Sequence, residues 1–160
     1  MTVAVFIIAW LCTLAGDFFL SVTQTHLTLG IALFCIVQTM YMLYLKPTPR
    51  ELAFRVIIFV SMTGILALIG MFSMQNVLAV FDIVMLGANA VKAWKEKEDK
   101  MLFAVGLSLF FCCDICVGLR SILPYSCSSL MLVLIWSFYL PSQVLIFIYG
   151  IRTMKSGKGK

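Results

Sequence analysis

The chain consists of long apolar runs separated by short polar connections. Six of these runs carry few charges and reach about 18 residues or more, the length that crosses a bilayer as a helix. They cover residues 2–22, 27–45, 52–70, 74–92, 101–120 and 125–150. Short connections make successive helices antiparallel. The pattern predicts an all-α, polytopic membrane helix bundle with six transmembrane helices in one domain, residues 1–151, followed by a basic tail, residues 152–160.

Composition agrees with a membrane location. Hydrophobic residues make up 62% of the chain and charged residues 12%, which is far from the average soluble domain. The net charge of +5 could favour nucleic acid as a partner, but the positions of the basic residues give a different reason for it. They fall at the ends of the apolar runs, as expected for a basic cytoplasmic surface, so no nucleic-acid partner is predicted.

The basic residues also predict the topology. With six spans and the N-terminus inside, the second loop, the fourth loop and the C-terminal tail are cytoplasmic. Of the 12 basic residues, only Arg120 lies on the opposite side. The positive-inside rule therefore predicts an integral, multi-pass membrane protein whose basic loops and both termini are cytoplasmic. The cytoplasmic set is Lys46, Arg50, Arg55, Lys92, Lys95, Lys97, Lys100, Arg152, Lys155, Lys158 and Lys160.

Three acidic residues, Asp17, Asp82 and Asp114, fall inside predicted spans. A charged group within a bilayer is costly, so such residues usually face the protein interior and mark function. At a rise of about 1.5 Å per residue, all three lie roughly 7–12 Å below the predicted outer boundary. Three helices thus bring carboxyl groups to one level, which makes them candidates for a functional site.

Helical spacing places polar, small or aromatic residues on one face of five helices, three of which carry an acid. The expected stripes are Thr13, Asp17 and Ser21 on helix one; Phe34, Gln38 and Tyr41 on helix two; Gln75, Asp82 and Asn89 on helix four; Gly106, Phe110 and Asp114 on helix five; and Trp136, Tyr139 and Gln143 on helix six. These stripes are expected to converge on an internal cavity. The alternative is structural: amides and hydroxyls often serve only as interhelical hydrogen bonds, and aromatics as packing. For Asp82 both interpretations stay open.

No metal or cofactor is predicted. Cys112, Cys113 and Cys116 lie within about one turn, but one helix cannot supply a closed tetrahedral site, and free cysteine is a common small buried residue. His26 is the only histidine. Nucleophile-elbow, Walker and dinucleotide fingerprints are absent from the sequence. A hydrolase built from this chain would have to use carboxylates.

Several segments resemble the YhhN-like lysoplasmalogenase family. They are "GDFFL" with "GIALFCIVQTMYMLYL", "GLSLFFCCDICVGL" and "WSFYLPSQVLI". The residues that match the family's motifs are Gly16, Asp17, Gly30, Phe34, Tyr41, Gly106, Phe110, Asp114, Tyr139, Gln143, Leu145 and Ile146. Two positions depart from the motifs: Gln38 stands where the family commonly has His, and Cys113 where it commonly has Ser. The family usually has eight helices, so the resemblance implies a short member lacking two N-terminal helices.

The resemblance implies hydrolysis of the vinyl ether bond of a lysoplasmalogen, with a lysophospholipid or other single-chain lipid as substrate. It implies Asp17 and Asp114 as the catalytic pair, one as general acid and one as a carboxylate that orients water and stabilises an oxocarbenium ion. The substrate-binding or orienting residues would be Tyr41, Gln38, Gln143, Tyr139, Phe34, Phe110 and Asp82. Two alternatives are a non-catalytic lipid-binding or scaffold protein and a proton-coupled transporter that uses the intramembrane acids.

Overall fold

The structure is a computed structural model that describes residues 2–23, 26–96, 100–122 and 128–156. Within these residues the chain forms six helical segments, each long and apolar enough to cross a membrane. This confirms the prediction of an all-α, multi-pass membrane protein with six spans. The sidedness of the loops and termini stays a prediction. The Ser21 side chain, Lys97 and the end of the tail, 157–160, lie outside the described part.

The helices follow the predicted order, with differences at their ends. Their bounds are α1 Thr2–Asp17, α2 Leu27–Leu45, α3 Pro49–Leu68, α4 Met74–Lys95, α5 Met101–Ile122 and α6 Ser128–Ser156. A π-helical segment, Phe18–Thr23, continues α1. The first predicted span is therefore helical along its length but changes its hydrogen-bonding pattern directly after Asp17.

Two boundaries differ from the prediction for identifiable reasons. Helix α3 begins three residues before the predicted residue 52, because Thr48 and Glu51 form a capping box around Pro49. Helix α6 passes through Pro141 and ends at Ser156, so residues 152–156 of the predicted tail are helical. The predicted start of the sixth span, residues 125–127, lies outside the described residues, and the described part of α6 begins at Ser128.

The helices divide into two compact units, Met1–Asn89 and Ala90–Lys160. In the first unit, α1 and α2 approach closely at two glycines. A Cβ atom on Gly16 would lie 2.9 Å from the Phe34 ring, and one on Gly30 would lie 2.6 Å from Leu20 Cγ. Small residues let helix backbones approach in membrane proteins. The first unit is therefore built around a glycine-dependent helix pair.

The second unit contains a comparable pair, α5 and α6. A Cβ atom on Gly106 would lie 2.8 Å from Ile146 Cγ1 and 3.2 Å from the Ser142 carbonyl oxygen. Farther along the pair, the rings of Phe103 and Tyr149 stack with centroids 5.1 Å apart. Glycine again allows the close approach, and aromatic packing extends the contact.

Candidate functional site

Asp17 is the last residue of α1 and immediately precedes the π-helical segment. Gly16, its neighbour, is buried against Phe34 of α2, so Asp17 directly follows the close α1–α2 contact. The Asp17 side chain itself is partly exposed. Short π-helical segments within membrane or soluble helices occur frequently at functional sites. Asp17 thus combines an intramembrane carboxyl with an irregular, tightly packed backbone.

The predicted face of α2 is buried. Phe34, Gln38 and Tyr41 are all shielded, and Gln38 and Tyr41 have almost no exposed surface. Tyr41 packs near Phe6 of α1, with ring centroids 6.3 Å apart. The amide nitrogen Nε2 of Gln38 is buried and has no hydrogen-bond partner among the described residues. The polar group that replaces the family's usual histidine therefore faces protein.

The predicted stripe on α4 is only partly buried. Asp82 and Asn89 are buried, whereas Gln75 is exposed. Gln75 lies in the first turn of α4 with its side chain exposed, so the expectation that it faces inward is wrong. Asn89 connects α4 to α2 and α3: its Nδ2 donates to the backbone carbonyl oxygen of Gln38 at 3.0 Å, and its Oδ1 accepts from Arg55 Nη1 at 2.7 Å.

In the second unit, the predicted residues of α5 lie beside those of α6. Gly106, Phe110 and Cys113 are buried, and Asp114 is partly buried. The Phe110 ring meets the edge of Tyr139 with centroids 5.8 Å apart. The structure thus brings Phe110 and Tyr139 together next to the turn that carries Asp114.

The remaining residues of the α6 stripe differ in exposure. Trp136 packs edge-on against Tyr139 but is 43% exposed, so the expectation that it lies on a buried face is wrong. Gln143 is partly buried, and its Nε2 has no hydrogen-bond partner in the described chain. The convergence of all five stripes on one cavity stays a prediction.

Sequence reasoning missed Arg55. The positive-inside count treated it as a cytoplasmic flanking residue, yet it is only 3% exposed. Its Nη1 donates to Asn89 Oδ1, and the Met85 sulfur lies 3.9 Å away. The available signal was its position inside the predicted third span, 52–70, where a charge needs a polar partner.

Comparisons with known proteins identify the family of this chain. No curated protein matches the chain, and no solved structure matches it either. The sequence profile of the YhhN family matches residues 1–149, which include α1 to α5, most of α6 and every candidate residue discussed above. The chain belongs to the YhhN family.

Proposed function

We propose that this protein is a membrane-embedded hydrolase that cleaves the vinyl ether bond of lysoplasmalogens. The observation that carries the proposal is the family match over residues 1–149, which contains the intramembrane carboxyls Asp17 and Asp114. The position of Asp17 at the change from α-helix to π-helix gives further support, because irregular helix geometry is common at functional sites.

The reaction needs one proton donor and one group that orients water. A carboxylic acid protonates the vinyl carbon that is not bonded to oxygen, which produces an oxocarbenium ion. A second carboxylate stabilises this cation and accepts a proton from the attacking water, as in glycosidases. The resulting hemiacetal collapses to a fatty aldehyde and a glycerophospho-base, so one water molecule is consumed for each ether bond cleaved. We propose that Asp17 and Asp114 supply these two carboxyls.

The other candidate residues would bind or orient the lipid. In the first unit, Phe34, Gln38 and Tyr41 offer an apolar ring, an amide and a hydroxyl on a buried face of α2, and Asp82 is buried on α4. In the second unit, the corresponding groups are Phe110, Tyr139 and Gln143. Apolar walls with a few polar groups are typical of sites for small amphiphilic ligands.

One observation favours a non-catalytic lipid-binding protein instead. Gln38 stands where the family commonly has a histidine, and its Oε1 lies 3.4 Å from Asn89 Nδ2 in a buried contact. An amide cannot carry a proton between groups as an imidazole can. If the reaction required such a carrier, this chain would bind the lipid without cleaving it.

Aldehyde release by purified protein in detergent tests the proposal. We expect release from a lysoplasmalogen by the wild type and a roughly 10²–10⁴-fold loss in Asp17→Asn and in Asp114→Asn, since general acid–base catalysis is typically worth that much. The double variant should be little worse than either single variant, because the two groups act as a unit. Asp82→Asn should lose less.

The exposed amide Gln75 provides the control, and Gln75→Asn should keep wild-type activity. Thermal unfolding of each variant separates loss of catalysis from loss of fold. Full activity of either aspartate variant would refute the pair. A folded but inactive wild type would favour the non-catalytic lipid-binding protein.

A further inference from the structure

Helix α3 buries a single residue, and that residue is charged. Arg55 is the only described position of Pro49–Leu68 that is buried. The side chains beside it, Phe54 and Val56, are exposed, as expected for a lipid-facing helix. Removing a guanidinium group from water is expensive unless polar groups or an anion compensate it. The surroundings of Arg55 therefore show what compensates this charge.

All acceptors that the structure gives Arg55 are neutral. Its Nη1 donates to Asn89 Oδ1 at 2.7 Å and lies 3.9 Å from the Met85 sulfur. Among the described residues, no carboxylate lies within 4.0 Å of the guanidinium nitrogens. Glu51, one turn earlier, acts on Arg55 through its charge from beyond bonding distance, while its carboxylate accepts from the Thr48 backbone N–H at 2.8 Å in the helix cap. The cation is solvated by amide and sulfur atoms but is not neutralised by them.

Beside Arg55, the side-chain amide of Gln38 provides a second hydrogen-bond donor that has no acceptor among the described residues. Asn89 Nδ2 donates to the backbone carbonyl oxygen of Gln38 at 3.0 Å and to the side-chain oxygen Oε1 of Gln38 at 3.4 Å. This contact occupies the acceptor end of the Gln38 side chain. The donor end, Nε2, is buried without a partner in the described chain, and Gln38 has no exposed surface. The guanidinium and the Gln38 amide thus both contact Asn89, and neither has an anionic acceptor within hydrogen-bond distance among the described residues.

We propose that Arg55 and Gln38 bind a phosphate group, with Asn89 as the positioning residue that holds both. The planar guanidinium has five N–H groups and matches the oxygens of phosphate. Arg55 lies six residues after the start of α3, about 9 Å along the helix. A long arginine side chain at this depth can reach a group near the membrane interface. The phosphate comes from a single-chain lipid headgroup or from free phosphate.

For the lipid source, this inference deepens the proposed function and rests on it, because the lipid would be the substrate. Its test uses the saturated ether lipid 1-O-hexadecyl-glycero-3-phosphoethanolamine, which has no vinyl ether and cannot be cleaved by the proposed reaction. The matched probe without phosphate is 1-O-hexadecylglycerol. Affinities are measured by calorimetry on the full chain in maltoside micelles.

We expect Arg55→Gln to weaken binding of the phospholipid roughly 10–100-fold, the effect of losing a charge-assisted hydrogen bond. Binding of hexadecylglycerol should not change. Arg50→Gln is the matched control, because Arg50 lies on the same helix but is exposed. Competition by inorganic phosphate would identify a site that accepts the free anion, whereas its absence would identify the lipid headgroup as the source. Equal phospholipid affinity of the wild type and Arg55→Gln would overturn the proposal.

A second variant keeps the test decisive if Arg55→Gln does not fold. Asn89→Asp turns the oxygen 2.7 Å from Arg55 into a carboxylate and gives the guanidinium an internal counter-ion. The folded variant should lose phospholipid affinity to a similar extent, because the new carboxylate competes with phosphate. Wild-type phospholipid affinity in Asn89→Asp would contradict the proposal.

The two proposals fail in different ways. An inactive wild type that binds the phospholipid through Arg55 contradicts the hydrolase and supports the phosphate site. An active wild type whose phospholipid affinity does not depend on Arg55 supports the hydrolase and overturns the phosphate site.

Discussion

Helices α2 and α3 are consecutive, similar in length and both apolar enough to cross a membrane, yet they are buried very differently. Helix α2 buries seven residues, whereas α3 buries only Arg55. Helix α2 packs through glycine, aromatic and aliphatic side chains. Helix α3 turns its apolar side chains outward and contacts α4 through Arg55 and through Phe59, whose ring lies edge-on to Phe81.

The difference shows that hydrophobicity identifies a span but not its packing face. In a bilayer, lipid is as apolar as a leucine side chain, so aliphatic residues gain little by turning inward. Small residues that permit close approach, and polar residues that require a partner, decide which face is buried. Gly30 and Gln38 do this for α2, and Arg55 does it for α3.

The largest expected effect comes from exchanging matched phenylalanines for alanine. Phe34 packs on Gly16 and is 6% exposed, whereas Phe54 of α3 is 63% exposed. Phe34→Ala should lower the free energy of unfolding by about 3–5 kcal/mol through lost contacts and a cavity. Phe54→Ala should change it by no more than about 0.5 kcal/mol. Unfolding by SDS in mixed micelles measures both; similar losses would contradict the assigned faces.

Removing the amide that attaches α3 should have the next largest effect. Asn89→Ala leaves the buried Arg55 without its 2.7 Å acceptor and should cost about 1.5–3 kcal/mol, as for hydrogen bonds to charged groups. The exposed amide of the same helix, Gln75, serves as control, and Gln75→Ala should stay within about 0.5 kcal/mol. The same unfolding titration applies. An Asn89→Ala variant as stable as Gln75→Ala would show that α3 does not depend on this contact.

Glycine substitutions should act in opposite directions on the two helices. A methyl group on Gly30 would meet Leu20 Cγ at 2.6 Å, so Gly30→Ala should destabilise the protein by about 1–3 kcal/mol. Gly64 of α3 has open space around it, and Gly64→Ala should stabilise by up to about 1 kcal/mol because alanine is the better helix former. Thermal unfolding of both variants checks the signs, and a destabilising Gly64→Ala would indicate an unrecognised contact on α3.

The smallest expected effect concerns the start of α3. Thr48 Oγ1 accepts from the Glu51 backbone N–H at 3.3 Å, and Thr48→Ala should cost about 1 kcal/mol through loss of this cap. Thr48→Ser keeps a hydroxyl and should behave as the wild type. Amide hydrogen exchange over residues 49–53 reports the local opening directly. Equal exchange in Thr48→Ala and Thr48→Ser would argue that the cap contributes nothing.

The sequence predicted the spans well because their length and apolar character are set locally. It predicted α2 at residues 27–45, as found, but placed the start of α3 too late because the Thr48–Glu51 capping box was assigned to the loop. The π-helical segment after Asp17 was not predicted. Its geometry accompanies the packing of Leu20 against Gly30, a contact between helices that periodicity in one sequence does not reveal.

For the candidate residues, the residue type predicted burial better than the position along the helix did. Gln38, Tyr41 and Asn89 are buried, as their polarity within apolar helices suggested. Arg55 was assigned to the cytoplasmic flank because counting basic residues measures closeness to a boundary and not burial. Gln75 has the spacing of Asp82 and Asn89 but is exposed, because a helix stripe can extend beyond the neighbours that cover it.

The most direct test of the proposed hydrolase is the position of the proton in the product. The purified wild type is given a lysoplasmalogen in D₂O, and the aldehyde is reduced at once with borohydride and analysed by mass spectrometry. Protonation of the vinyl carbon by an exchangeable carboxyl predicts one deuterium on the carbon next to the former aldehyde, and almost no product from Asp17→Asn. No aldehyde from the folded wild type, or aldehyde without deuterium at that carbon, would contradict general acid cleavage of the vinyl ether.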